Sequence, residues 1–389
     1  MKLEIFDADL RNWLLAHALP LWAGYGVDHH FGGYHERLSF DLTPLEAPHR
    51  ARLTARQIYC FVRGAELGWQ GPASDLVAHG LSFLNRHLLT PEDRVVMAVD
   101  PATGLAVPGH DNYDVAFVLF ALAVAARSRA DVTALSARAR RIAQRLSADY
   151  AHPLGGYQET APATSPLRAN PHMHLLEAFL EWAEGDHDAD GFWHGKAAEI
   201  IGLAQQRMLL PSGAMPELFD LAWQPLGPPG NPLIEPGHQF EWGWLLARWA
   251  RLCGDASAFD AALRLIRIGE DHGICQQRGV AINAVDGDFA PRDAQAKLWP
   301  QTERVKAWAE LATSPFASAQ IKSEARARLL PALAGLRAFL ITGPPQCLGL
   351  WREVMRTDGT FINEPVRASS FYHLICALQV ILPHRAIGR

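Results

Sequence analysis

Apolar residues recur along this chain at helical spacing, i, i+3 and i+4, in one segment after another. The pattern predicts about twelve helices, over residues 7–24, 53–68, 73–89, 111–128, 132–150, 172–185, 190–208, 238–252, 257–272, 300–313, 318–341 and 369–382. Extended segments are few and short. Phe31-Gly-Gly-Tyr-His-Glu, Leu154-Gly-Gly-Tyr-Gln-Glu, Ser212-Gly-Ala-Met-Pro-Glu, Asp286-Gly-Asp-Phe-Ala-Pro and Asp358-Gly-Thr-Phe-Ile-Asn-Glu share one form. Each sets a glycine turn before a short apolar/polar alternation, the mark of a small strand or hairpin. Their irregular return suggests a degenerate repeat of helix pairs. The Pro/Gly-rich stretch 224–237 reads as a long loop, and no linker or low-complexity tract divides the chain. Residues 1–389 are therefore expected to form a single all-α domain.

The polar positions follow the parity of the helices. The even ones open near Arg56, at Asp111-Asn-Tyr-Asp114, at Asn170-Pro-His172-Met-His174, at His238 with Glu241, at Trp299-Pro-Gln-Thr-Glu303, and before His373. In an up-down succession all even helices point the same way, so these openings would gather at one end. Capping explains Ser, Asp and Asn at helix starts. It does not explain Arg56, His172, His174, His238, Trp299 or His373. His238 and Glu241, three apart, share a helix face, and such a pair can move protons.

Composition narrows the class. Hydrophobic residues make up 49% and charged residues 20%, enough for a large core. The net charge is -5 with no basic block, which argues against nucleic acid as a partner. No apolar run approaches the ~20 residues of a membrane span, and residues 1–7 lack a charged-then-apolar leader pattern. The five cysteines show neither metal-ligand spacing nor a disulfide framework. A cytoplasmic protein is expected. Twelve tryptophans and seventeen histidines suit a site that stacks on sugar rings and transfers protons.

The chain resembles the N-acylglucosamine 2-epimerase family, which includes mannose isomerase-type aldose–ketose isomerases and cellobiose 2-epimerases. The resemblance rests on Thr54-Ala-Arg56-Gln-Ile-Tyr59, Asn170-Pro-His172-Met-His174-Leu-Leu-Glu177-Ala, Pro236-Gly-His238-Gln-Phe-Glu241-Trp-Gly-Trp, Trp299-Pro-Gln-Thr-Glu303 and Phe371-Tyr-His373, in family order. It implies an (α/α)6 barrel. It implies that His238 and His373 are the general acid/base pair and that Glu241 contacts the sugar and orients its histidine. Arg56 would face the substrate oxygens and the developing enediolate. His174 and Asn170 would lie beside the opened sugar, and Trp299, Glu303 and Trp308 would line the wall. Asp114 joins the substrate-binding candidates. The hairpin Gly33-Tyr-His-Glu-Arg departs from the family's better-known versions.

The chemistry suits these residues. Removing the C2 proton of an open-chain aldose needs a base of near-neutral pKa and a cation on the carbonyl oxygen. Histidine and arginine supply them. Reprotonation at C1 gives a ketose; on the far face of C2 it gives the epimer. The expected activity is aldose–ketose isomerisation of the mannose/fructose type, with 2-epimerisation as the alternative. No cofactor and no metal are expected: the dinucleotide glycine loop is absent, and His172 and His174, two apart, diverge on a helix. His172 is read as a hydrogen bond at its helix start. Two more distant readings are a glycoside hydrolase using Glu241 with Asp114 or Glu303, and a helical partner-binding scaffold. The expected partner is a small monosaccharide, with no membrane, and a homodimer is the candidate assembly.

Overall fold

The computed structural model describes residues 9–128, 132–185, 188–228 and 231–382. Twelve α-helices lie among them: α1 (Leu19–Tyr25), α2 (Ala51–Glu66), α3 (Ala73–Phe83), α4 (Asn112–Ser128), α5 (Val132–Tyr150), α6 (Ala169–Ala183), α7 (Phe192–Leu203), α8 (Pro236–Cys253), α9 (Ala256–Gly273), α10 (Leu298–Thr313), α11 (Ala319–Arg337) and α12 (Ala368–Ile381). A π-helical turn, Trp13–Ala18, leads into α1, and others, Leu84–Leu88 and Ala204–Met208, extend α3 and α7. The first two residues of the expected helix 7–24, and the amino-terminal stretch read for a leader, lie outside the described residues. Most predicted ends fall within two or three residues of the observed ones. No described helix is long and apolar enough to cross a membrane.

Burial separates the helices by parity. On α6, 14 of 15 residues are buried, whereas on α11 only Ala325, Leu329, Ala332, Leu333, Gly335 and Leu336 are. Even helices are thus surrounded by protein, so polar side chains on them need internal partners. The odd ones turn one stripe inward and a charged face to solvent.

The chain forms two compact units. Unit one comprises Met1–Arg145, Phe339–Glu353 and Ile362–Arg389; unit two comprises Leu146–Ala338 and Val354–Phe361. In unit one, α2 packs against α3, α4 and α12. Its core holds Tyr59 stacked on Phe120 at 5.0 Å and Trp22 stacked on Trp351 at 5.2 Å. Gly64 lets α1 approach α2, since a Cβ there would stand 2.8 Å from Leu19. In unit two, α8 packs against α6, α9 and α10. The stacked pair Trp182–Trp193, 5.3 Å apart, joins α6 to α7.

The expected hairpins are two- and three-residue strands placed ahead of the even helices. In unit one, β1 (Arg37–Leu38) pairs with β13 (Val366–Arg367), and β2 (His49–Arg50) with β3 (Ala98–Val99) and β4 (Ala106–Val107). In unit two, β5 (Leu167–Arg168) pairs with β6 (Leu218–Phe219), β7 (Ile274–Cys275) with β8 (Val280–Ala281), β9 (Ala284–Val285) with β10 (Pro291–Asp293), and β11 (Ala296–Lys297) with β12 (Val354–Met355). All are antiparallel. The repeat has a chemical signature. Just before α2, α8, α10 and α12, a backbone N–H donates to a side chain brought in by the preceding loop. The pairs are Arg50 to Glu36 at 3.0 Å, Glu235 to Glu217 at 3.3 Å, Lys297 to Asn283 at 2.8 Å, and Arg367 to Glu353 at 2.8 Å. These bonds fix where each even helix begins, and therefore the aim of its first turn.

Candidate active site

Unit two places the openings of α6, α8 and α10 side by side. Extended backbone at Glu235 and proline at the first helical position start α8. A Cβ on Gly237 would stand 2.4 Å from the Trp299 ring, so only glycine lets that indole lie against His238, ring centroids 4.8 Å apart. His238 Nδ1 bonds Glu217 Oε2 at 2.8 Å, and Glu235 Oε2 stands 3.8 Å away. Burial works against charge on His238, but Glu217 and then Glu235 outweigh it and push its pKa up to about 10. At neutral pH His238 is therefore an imidazolium, an acid whose Nδ1–H is committed to Glu217.

Its other nitrogen, Nε2, meets the Asn170 side-chain nitrogen at 3.2 Å, while Asn170 Oδ1 is buried without a partner. Two N–H donors cannot bond each other. The neutral ring accepts from Asn170 as drawn. The imidazolium is matched by turning the amide over, so that Oδ1 accepts. Asn170 thus suits either protonation state.

One expectation is corrected here. Glu241 does not orient His238; Glu217 does. His238 lies in the first turn of α8, within reach of the loop carrying Glu217. Glu241, a turn deeper, has both oxygens buried without a hydrogen-bond partner. Burial and then Glu303 push it well above the usual carboxylate range, against the pull of Lys306. Its unmet oxygens suit a polyol hydroxyl. Around it, His174 Nδ1 meets Glu177 at 3.1 Å, and Lys306 Nζ stands 2.6 Å from Glu303 and 3.9 Å from the Trp244 ring centre. His172 is neutral and structural, as read: Nδ1 donates to the Arg168 carbonyl at 2.8 Å, Nε2 accepts from the Tyr157 N–H at 2.9 Å, and burial pushes its pKa down to about 4.

Unit one places the openings of α12, α2 and α4 together. Arg56, 5% exposed, donates to the Tyr113 hydroxyl at 2.6 Å, and its guanidinium lies 4.1 Å from the Phe117 ring centre and 5.1 Å from that of Tyr372. Its Nε is buried with no hydrogen-bond partner. Aromatic faces hold this cation without a carboxylate, which leaves its donors for a ligand. His373, 8% exposed, sits in the second turn of α12.

Two candidates are held by the scaffold. Arg52 grips Asp114 through its backbone N–H and Nε at 2.9 Å and Nη2 at 2.7 Å, so that carboxylate braces α2 to α4. Trp308 donates its indole N–H at 2.9 Å to Glu270, which Arg304 also holds at 2.6 and 2.8 Å. A wall position is thus corrected to a bracing one. Glu217 escaped the sequence reading, although it ends the segment Ser212-Gly-Ala-Met-Pro-Glu. Its signal lay in the repeat, where Glu36 ends the matching segment.

Comparison with known proteins identifies the family and the fold. The profile of the N-acylglucosamine 2-epimerase (GlcNAc 2-epimerase) family matches residues 32–377. A protein of Rhizobium meliloti (strain 1021) named mannose-6-phosphate isomerase is 36% identical over 387 residues, 97% of each chain. Among solved structures, a cellobiose 2-epimerase from Bacillus thermoamylovorans B4167 superposes with TM-score 0.81 at 18% identity, over 97% of this chain and 99% of that one. A D-mannose isomerase gives 0.82 at 16%, over 95% and 97%. The fold class is the (α/α)6 barrel.

Proposed function

From the premise that the chain belongs to the N-acylglucosamine 2-epimerase family and is a sugar isomerase or epimerase, we propose that it is an aldose–ketose isomerase converting mannose to fructose through an enediolate. The observation that supports it is the Glu217–His238 bond, which keeps His238 protonated at neutral pH. A protonated histidine opens the pyranose ring by donating to the ring oxygen; the proton released from the O1 hydroxyl restores the imidazolium, which can then return a proton at C1. The base that removes the C2 proton is assigned to His373. Arg56 steadies the two enediolate oxygens with the donors its aromatic surround leaves unused. Glu241, buried with both oxygens unmet, takes a sugar hydroxyl. The C2–H bond breaks, its pair forms C1=C2 and the C1=O pair moves onto O1; the O2 proton is passed to O1, and protonation of C1 with collapse of the O2 charge leaves a C1 hydroxyl and the carbonyl at C2, so nothing is oxidised overall.

The relative's name raises a phosphorylated substrate. Arg37, Arg50 and Arg52 line a cavity of about 500 Å³ at the start of α2. Arg50 is bonded to Glu36, and Arg52 to Asp111 and Asp114. The charges of Arg50 and Arg52 are met within the chain, which favours the free sugar.

The test is incubation with mannose, mannose 6-phosphate, glucose, lyxose and N-acetylmannosamine in deuterium oxide, followed by NMR. Fructose appearing first, with deuterium at C1, supports the reading. Glucose without fructose makes the enzyme a 2-epimerase, and turnover of mannose 6-phosphate alone overturns the choice of a free sugar.

A further inference from the structure

Unit one gathers histidines that the reaction does not use. The loop 27–35, pinned by the Val27–Tyr34 bridge, carries three of them beside Asp28. Asp28 Oδ1 accepts the N–H of His30 at 2.8 Å and of Phe31 at 3.0 Å, a turn that fixes its carboxylate. Its Oδ2 meets Nε2 of His49 on β2 at 2.9 Å. His49 is 3% exposed, and its Nδ1 is buried without a hydrogen-bond partner. His35 stands edge-on to it, ring centroids 6.0 Å apart at 79°. One donor atom from each of Asp28, His35 and His49 lies within 4.8 Å of the others. All three line a cavity of about 680 Å³.

A purely structural role explains only part of this. The Asp28–His49 bond would hold the loop to β2, but it makes no use of His35, which lines the same cavity. We propose that Asp28, His35 and His49 form a binding site for a divalent cation of the zinc class, with at least one coordination position open to the cavity. Two imidazoles and one carboxylate suit zinc, cobalt or nickel, whereas calcium and magnesium prefer oxygen donors. Donors held at ~2.0–2.2 Å from an ion stand roughly 3–3.5 Å from one another. The Asp28 Oδ2–His49 Nε2 spacing of 2.9 Å is close to that, and His35, half-buried in the cavity wall, closes the set by a swing of about 1–2 Å. A bound ion would clamp loop 27–35 to β2, immediately ahead of the helix that carries Arg56. The site is independent of the isomerase reading.

The test uses tag-free full-length protein stripped with a chelator. Cobalt(II) is titrated in and followed by visible absorption; zinc is measured by calorimetry and by metal content per chain. One equivalent per chain, with cobalt ligand-field bands and a melting temperature raised by zinc, is expected. His35→Ala, which spares the Asp28–His49 bond, should keep the wild-type circular dichroism, bind at least about tenfold more weakly and lose the melting shift. Asp28→Asn should do the same. Absence of stoichiometric binding by the wild type, or unchanged affinity in His35→Ala, overturns the proposal.

Discussion

Glu217→Gln removes the charge that sustains the acid while keeping an oxygen to accept from His238 Nδ1–H. A histidine raised from 6.5 to about 10 favours its charged form by about 5 kcal/mol, at ~1.4 kcal/mol for each tenfold in proton affinity. Glu217 is the foremost of the carboxylates responsible and also supplies the hydrogen bond. Assigning it roughly half of the effect predicts a loss on the order of 10²-fold in proton affinity. The alkaline limb of kcat should therefore move about two pH units lower. NMR titration of a histidine-labelled protein should show the His238 resonance moving with it. Stability responds in the same direction. A folded-state pKa above the unfolded value contributes stability in full below about 6.5, which is lost as pH rises through about 10. Wild-type stability should fall across that window, and the variant should flatten the slope. A folded Glu217→Gln whose alkaline limb stays in place would refute His238 as the proton donor.

Other substitutions separate chemistry from scaffold. Arg56→Lys keeps the charge but loses the planar fork and its bond to Tyr113; kcat/KM should fall by about 10²-fold or more, whereas a lower melting temperature with unchanged activity would make Arg56 a structural cation. Trp308→Phe loses the indole bond to Glu270 within a fully buried network, so stability should drop by about 1–3 kcal/mol by denaturant melts while KM for the sugar stays within a few-fold; a large rise in KM would return Trp308 to the site wall.

Helices were legible because periodicity is local. An apolar stripe every 3.6 residues marks a helix wherever it lies, and α8 began within two residues of its predicted start. Parity was legible for a related reason. Polar residues on a helix buried all round are costly, so Arg56, His238 and His373 drew attention by their chemistry alone. Glu217 was a different matter. It lies twenty-one positions before His238, across a loop with no periodicity, and reaches the ring because β5 and β6 pair and return the chain.

Local spacing names the face a side chain shares, as it did for His238 and Glu241, but not the neighbour it meets. Asp114 and Trp308 show the same limit: an inward-facing acid or indole looks alike in sequence whether it awaits a sugar or braces a helix. The chain's own order of residues is enough to set twelve helices, their alternation and the acid/base candidates, because short-range backbone geometry and the cost of burying polar groups act within a few turns. Which carboxylate holds His238, and which acid is left buried with its oxygens unmet, was settled by packing. Those outcomes depend on distances between segments far apart in the chain and on the low dielectric their closure creates.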